Sequence, residues 1–595
     1  MCQCVHECEW INESCTTIIG HAPIMAEASP QSGERSLLLP LVLTAVGLTA
    51  RLWLAFFTFL NPDEAWHYLL AAQPSLSMAY RASLTTAHPP LLILLLWAWH
   101  FVSSTELWLR LPSALAGTAF CWMMFLWIKD VFGRSAALIG LTYLLFSPPL
   151  IALSAEVRQY PLLLFFCACS LYFLERGLRE ASARMMVFSG VSLALALLMH
   201  YSSLIFAFVI GGYALLRFLQ YGPNEHRPGE QSRGEQKHPG RLLTAWIVGQ
   251  SFALTLIAWL LVGHVAELKK NGLSNEVAAT YVTTALFHSG QDRFFTFMFK
   301  STTHLFRYFF SNGTVGVAGL ILFLLGIGLL LKDRTPSDLS RSSSCALAVL
   351  LLLPFIITLA LGLAGLYPYG GIRHDTILAP FAMAGISIPL ARWKMSPHWV
   401  KPVLIAVPLL IGNLHPHPFG PYISPKNQSK RLLKQALDYL RDSAAPGPTL
   451  LTDYEGGLLL SYYLCPHPVV NLDPSSHRLQ SSDCGPYKVI TPGENLFIFS
   501  PESFSAALPE LRQEHQPALG GEFWLFQAGW IGDKQKDLDP DQLQLGCLQS
   551  RRFGENIFLC RLARIALHHA KRGDNAAPSE VMSPLKATAM PQAYS

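Results

Sequence analysis

Charge is what this chain has least of. Only 14% of its 595 residues are Asp, Glu, Lys or Arg, the formal net charge is +5, and 51% are hydrophobic. The basic residues fall mainly in short stretches between apolar runs, a pattern that reports membrane orientation and excludes a nucleic-acid surface. Also lacking are a Gly-x-Gly-x-x-Gly opening a helix after a strand and a Walker-type loop, which excludes the common soluble nucleotide sites. Residues 1–36 have no apolar core ahead of a small-residue cleavage site, so a signal peptide is not expected, and Met25 reads equally well as a start. Cys2, Cys4, Cys8 and Cys15 crowd that segment, yet no second pair or histidine couplet at zinc spacing completes a ligand set. An unstructured leader is the plainer reading.

What the chain has in abundance is apolar runs of near-spanning length between residues 37 and 414. Such runs mark a polytopic membrane protein of mainly α class. Eleven spans are expected: 37–60, 109–128, 136–154, 160–174, 186–199, 204–219, 242–262, 315–331, 346–366, 377–390 and 403–414. With the first running outward, Lys129, Arg176, Arg179, Arg227, Arg241, Lys332, Arg341, Arg392 and Lys401 all fall inside, as the positive-inside pattern requires. That parity holds only if residues 89–103 do not cross. At about 15 residues, with Trp97, Trp99 and His100, they suit a helix in the headgroup layer. Two aromatic-rich pieces, from Arg293 and from His304, read as interfacial within a second long outer region, 264–313.

Past residue 415 the pattern changes. Arg431 to Asp442 has helical spacing, Pro448 to Thr452 reads as a strand, Leu458 to Leu464 as a helix, and segments from Asn495, Phe523 and Asn556 as further strands. The organisation expected is a cytoplasmic leader (1–36), a transmembrane domain (37–414), a small extracytoplasmic α/β domain (415–570) and a disordered tail (571–595). Cys465, Cys484, Cys547 and Cys560 would lie in the oxidising compartment, as two disulfides in one of three connectivities or as buried thiols.

Directly after the first span comes Asn61-Pro-Asp-Glu-Ala-Trp-His-Tyr68. Pro62 suits the first turn of a short helix, and the adjacent carboxylates Asp63 and Glu64 either cap that helix or serve a watered cavity at the membrane surface. Parity brings His88, Glu156, Arg158, Tyr160, His200, Tyr201, Arg373 and His374 to the same side. Each has a plainer explanation: a turn end for His88, a local pair for Glu156 and Arg158, headgroup anchors for Tyr160, Tyr201, Arg373 and His374. Their recurrence at outer helix ends argues for one shared site. Arginines and donor or protonated histidines hold phosphate oxygens, and a carboxylate takes a proton from an attacking hydroxyl. An anionic, lipid-linked substrate fits such a set. A transporter or flippase is the alternative, although the acids lie in a loop and no internal repeat is visible.

Six motifs, in order, carry a resemblance: Pro62-Asp-Glu-Ala-x-x-Tyr68, His88-Pro-Pro-Leu91, Leu109-Arg-Leu-Pro-Ser-Ala-Leu-Ala-Gly117, Ser154-Ala-Glu-Val-Arg-Gln-Tyr-Pro-Leu-Leu-Leu164, Met199-His-Tyr201 and Arg373-His374. Over roughly residues 37–390 the chain resembles the bacterial branch of the protein mannosyltransferase-like glycosyltransferases of GT-C fold. The resemblance implies a polyprenyl-phosphate-sugar donor, an extracytoplasmic acceptor (protein, lipid or polysaccharide), inversion at the sugar, and a place in the bacterial plasma membrane. By motif, Asp63 would be the general base or would position the acceptor, with Glu64 its neighbour in the catalytic pair. His88 and Arg158 would contact the donor phosphate or shape its pocket, and Arg373 would hold the lipid phosphate. Some relatives carry a further acid just before the proline pair, where this chain has Thr86-Ala87. That departure leaves the metal ligands unknown and a divalent ion without an assigned site, Glu156 being the one other carboxylate at hand.

Overall fold

The computed structural model describes residues 31–220, 239–266, 285–332, 343–393, 428–444, 447–466, 479–492, 523–528 and 545–564. Backbone inside a bilayer has no water to bond, so apolar runs fold as helices. In chain order these are α1 (Gln31–Phe57), α2 (Pro62–Ala71), α3 (Leu76–Ser83), α4 (Leu91–Trp99), α5 (Glu106–Phe132), α6 (Arg134–Phe146), α7 (Pro148–Ser154) and α8 (Tyr160–Glu180). There follow α9 (Ala183–Met199), α10 (Ser203–Gln220), α11 (Pro239–Leu260), α12 (Phe294–Phe310), α13 (Gly313–Lys332), α14 (Ser344–Leu363) and α15 (Ala379–Arg392).

Among the described residues six of these are long and apolar enough to cross a membrane: α1, α5, α8, α11 with its continuation to Val265, α13 and α14. This multi-pass count, seven with one bent pair, falls short of the eleven expected. The expected span at 136–154 is that pair, α6 and α7, bent by 58°. Pro148 and Pro149 have no N–H to give the carbonyls four residues back, so the helix breaks at Ser147. The Leu145 carbonyl, which residue 149 would otherwise serve, accepts instead from buried Arg51 Nη1 at 2.9 Å. The runs at 186–199, 204–219 and 377–390 form shorter apolar helices, and 403–414 lies outside the described residues.

Helix α4, with nine residues, covers about 13 Å and is no span, as anticipated. The two aromatic pieces after Arg293 prove to be one continuous helix, α12. Helix α1 starts at Gln31, inside the stretch expected to be leader. Helix α8 is the most enclosed span and α11 the most peripheral. At one end of the bundle Arg179 Nη2 lies 2.7 Å from Asp130 Oδ2, so the α5 and α8 ends that parity assigns to one side do meet.

The carboxyl-terminal part consists of α16 (Lys430–Ser443), β1 (Thr449–Thr452), α17 (Tyr454–Tyr463), β2 (Leu479–Cys484), β3 (Tyr487–Pro492), β4 (Phe523–Ala528), β5 (Leu545–Phe553) and β6 (Ile557–Arg564). The strands form one mixed sheet in the order β2-β3-β1-β4-β6-β5, with β1 parallel to both β3 and β4. Cys465 is bonded to Cys484 and Cys547 to Cys560, which selects one of the three connectivities. The strand expected from Asn495 lies outside the described residues, as do residues 1–30 and 571–595.

This domain packs on the helical part through a shared apolar cluster. Phe59, in the linker before α2, and Ala65 and Leu69, within it, are buried with Leu433, Leu440, Leu459 and Leu460.

Candidate active site

Helix α2 begins as its sequence dictates. Asn61 Oδ1 accepts from the Glu64 N–H at 3.0 Å, Glu64 Oε2 accepts from the Asn61 N–H at 2.8 Å, and Pro62 occupies the first turn. This reciprocal cap satisfies two orphan donors and places Asp63 and Glu64 at the positive end of the helix. The two carboxylates then part. Glu64 is fully buried: its Oε1 accepts from Arg110 Nε (2.6 Å) and the Val157 N–H (2.8 Å), and its Oε2 also accepts from Arg110 Nη2 (2.6 Å). Asp63 keeps 13% of its side chain exposed, and the charged side chains around it make up the candidate cleft.

One face of α5 holds the cleft's components. Arg110, besides gripping Glu64, donates to the carbonyls of Ala55, Thr58 and Phe59, which the end of α1 leaves open. One turn on, Ser113 Oγ donates to the Arg158 carbonyl (3.0 Å) and accepts from the Arg158 N–H (3.2 Å). One turn further, Gly117 lies against Ser154, and a Cβ there would overlap that side chain. Positions 110, 113 and 117 share a helical face, so α5 anchors both the start of α2 and the loop from Ser154 to Gln159.

Over Asp63 Oδ2 meet two guanidinium groups. Arg158 Nη1 pairs with it directly, and Arg373 Nη1 donates to it at 2.9 Å. Arg158 Nε also donates to Glu156 Oε2 at 3.0 Å. Arg158 is 3% exposed, whereas Glu156 and Arg373 are 12% and 24% exposed, so the open side of the cluster is formed by Asp63, Glu156 and Arg373. Arg373 is held by the turn before it. Gly371 takes a φ of +84°, and the Asp375 carboxylate gathers the N–H groups of Gly370 (3.1 Å), Gly371 (2.8 Å) and Ile372 (3.1 Å).

The protonation states follow from this packing. Burial raises the Asp63 carboxyl, but the charges of Arg158 and Arg373 outweigh it and hold the group below its ordinary value. Glu156, raised chiefly by burial, goes the other way. Burial pushes Asp375 up to about 6.

Four imidazoles form a row beside the arginines. Ring centres are 6.4 Å apart for His67 and His88, 5.1 Å for His88 and His200, and 5.8 Å for His200 and His374. Tyr160 stands 5.1 Å from His200. Burial and Arg158 lower His67 to about 4, burial and Arg373 lower His200 to about 3, and His88 and His374 also lie well below the usual range. These rings are neutral at pH 7, so positive charge in the cleft comes from arginine.

The structure thus brings together Asp63, Glu156, Arg158, Arg373, His88, Tyr160, His200 and His374. Glu64 lies one shell deeper, locked to Arg110. Tyr201 is engaged elsewhere, its hydroxyl 2.5 Å from His264 Nδ1. Sequence reasoning missed His67, Arg110, Ser113 and Asp375. His67 was in the motif, and Arg110 and Ser113 were quoted in another, but nothing in the sequence joined them across the fold. Among the described residues no group of three or more His, Cys, Asp or Glu is arranged to hold a metal ion. An apolar groove of about 510 Å³ is lined by Pro90, Leu91, Leu94, Leu198, Phe252 and Trp259 among others, Pro90 and Leu198 being two residues from His88 and His200 in the chain.

Residues 87–220 match the family model described as dolichyl-phosphate-mannose-protein mannosyltransferase. Four of the six motifs fall inside that stretch. Among curated proteins none matches the chain. Solved structures similar to it include ArnT from Cupriavidus metallidurans bound to undecaprenyl phosphate, at 12% identity and a TM-score of 0.48, over 90% of this chain and 98% of that one. Another is the archaeal oligosaccharyltransferase AglB from Archaeoglobus fulgidus in complex with an inhibitory peptide and a dolichol-phosphate, at 13% identity and 0.41, over 73% and 64%. A third is the arabinosyltransferase EmbB from Mycobacterium smegmatis, at 13% identity and 0.37, over 59% and 30%.

Proposed function

We propose that this chain is a multi-pass membrane glycosyltransferase of the protein mannosyltransferase-like family, dependent on a lipid-phosphate-linked sugar, and that it transfers the sugar to an extracytoplasmic hydroxyl with inversion at the anomeric carbon. Asp63 is the general base. The observation that carries this assignment is the Asp63 carboxylate, ionised, partly exposed and shared between Arg158 and Arg373, which come from loops far apart in sequence.

The chemistry is a single displacement. The acceptor hydroxyl gives its proton to Asp63, its oxygen bonds to the anomeric carbon, and the bond from that carbon to the phosphate oxygen breaks. The lipid phosphate leaves with one more negative charge than it had in the donor. As Asp63 becomes neutral, Arg158 and Arg373 lose the charge they were balancing and meet the charge developing on the phosphate. Neutral His88, His200 and His374 offer hydrogen bonds to sugar hydroxyls or phosphate oxygens without adding charge. The apolar groove lined by Pro90 and Leu198, near His88 and His200 in the chain, suits the lipid chain. Glu64 acts through Arg110 and the α2 cap, a positioning role in place of the catalytic one its adjacency to Asp63 implied.

The proposed setting is the bacterial plasma membrane, with the amino terminus cytoplasmic and the cleft and sheet domain outside; the two disulfides support that side. The test is transfer from a panel of radiolabelled polyprenyl-phosphate sugars, with the product's anomeric configuration read by NMR. Transfer with inverted configuration is expected; retained configuration would overturn the backside single displacement.

A further inference from the structure

Between α1 and α2 the chain runs through four buried residues, Thr58, Phe59, Leu60 and Asn61, that belong to no helix. Buried backbone without a helix must find its hydrogen bonds elsewhere. Arg110 takes the carbonyls of Thr58 and Phe59, and Glu64 takes the Asn61 N–H. The Asn61 carbonyl accepts from the Ala65 N–H at 3.0 Å, and further partners come from the carboxyl-terminal domain. The Phe59 N–H donates to the Gln428 carbonyl at 2.8 Å, Gln428 Nε2 donates to the Phe59 carbonyl at 2.7 Å, and Thr58 forms an antiparallel bridge with Ser429. The Leu60 N–H donates to the Tyr463 phenol at 2.9 Å. That phenol in turn donates to the carboxylate of Glu106, which also pairs with Lys430. Glu106 stands one turn before Arg110 on α5.

We infer that the carboxyl-terminal domain is part of the catalytic apparatus: Tyr463 and Gln428 are positioning residues that fix the linker into α2 and thereby the place of Asp63 between its two arginines. This inference rests on the assignment of Asp63 as base. It gives the domain a role distinct from selecting the acceptor. Cys465, two residues after Tyr463, is bonded to Cys484, so the end of α17 that carries the phenol is tied to the β2–β3 hairpin. Catalysis is sensitive to small displacements: a reacting group misplaced by about 1 Å costs up to about a hundredfold in rate.

The experiment measures kcat and donor KM for the full-length chain carrying Tyr463→Phe, Gln428→Ala, Glu106→Gln or Tyr462→Phe. Tyr463→Phe removes one oxygen and keeps the ring's packing, and Tm measured on each variant reports whether the fold is retained. The expected result is a fall in kcat of about tenfold or more for Tyr463→Phe and Gln428→Ala, with donor KM within about twofold, because the base moves while the phosphate-binding arginines stay. Glu106→Gln keeps an acceptor for the phenol and is expected to stay nearer wild type than Tyr463→Phe. Tyr462→Phe, whose hydroxyl donates only to the Ser104 carbonyl, serves as control. Wild-type kcat in both Tyr463→Phe and Gln428→Ala, or a rise in KM without a fall in kcat, overturns the inference. Asp63→Asn run alongside separates the two claims. Loss of turnover there with normal Tyr463→Phe and Gln428→Ala defeats the positioning role alone, whereas retained turnover in Asp63→Asn defeats the assignment beneath it.

Discussion

Replacing Glu64 by Ala is expected to damage the fold before it damages the chemistry. The carboxylate accepts four hydrogen bonds, two from Arg110, one from the Val157 N–H and one from the Asn61 N–H, and both partners of the ion pair are fully buried. Removing one partner of a buried ion pair costs about 3–5 kcal/mol, because the other charge is left in a low-dielectric site. Arg110 retains its bonds to the carbonyls of Ala55, Thr58 and Phe59, so the lower part of that range applies. Set against a typical stability of about 5–15 kcal/mol, such a loss is large. In a detergent-solubilised preparation it appears as lower yield and a marked drop in Tm. Asp63→Asn, by contrast, is expected to leave Tm within a few degrees of wild type, since its site is partly open to water. A Glu64→Ala protein with unchanged Tm and no turnover would refute this reasoning and make Glu64 a reacting group.

Three further outcomes follow from the same geometry. The Asp63 carboxyl is held below its ordinary value, so it is ionised above that value and the acid limb of kcat falls at low pH; Arg373→Ala removes one of the charges holding it down and is expected to move that limb upward in a pH–rate profile. On the proposed role of the two arginines, Arg158→Lys and Arg373→Lys lose guanidinium hydrogen bonds to phosphate worth about 1.5–3 kcal/mol, a rise in donor KM of about 10- to 150-fold in steady-state kinetics. Peptides containing Cys465 and Cys484 are expected to migrate together from the cell-expressed protein until a reductant separates them. Separate migration without reductant would speak against an oxidising, extracytoplasmic location.

Most of the cleft was visible in the sequence because its members sit at the ends of apolar runs, where membrane parity alone assigns a side. Asp63, His88, Glu156, Arg158, His200 and Arg373 could be gathered that way. Arg110 could not, since it lies inside an apolar run and its partner Glu64 is 46 residues away. The Arg110, Ser113 and Gly117 face acquires its meaning only when the loop from Ser154 to Gln159 is seen resting on it. Asp375 follows Arg373 and His374 directly, but its work is done on three backbone N–H groups, which no side-chain pattern announces.

The expected spans and those counted among the described residues differ for a related reason. Hydropathy measures apolar length and does not register the break that Pro148 and Pro149 impose between α6 and α7, nor does it separate a spanning helix from a shorter one such as α15, buried among other helices. In the sheet domain β1, β4 and β6 were readable as apolar runs, whereas β2 (Leu-Gln-Ser-Ser-Asp-Cys) and β5 (Leu-Gly-Cys-Leu-Gln-Ser-Arg-Arg-Phe) are too polar to signal strands. Pairing with β3 and β6 makes them strands.

The central claim is that Asp63 takes the acceptor's proton while Arg158 and Arg373 hold the phosphate. The most direct measurement compares wild type with Asp63→Asn at matched expression, reading donor binding and sugar transfer on the same preparation with whichever polyprenyl-phosphate sugar the wild type uses. Donor binding that persists while transfer vanishes is the predicted result, and full transfer by Asp63→Asn would contradict it.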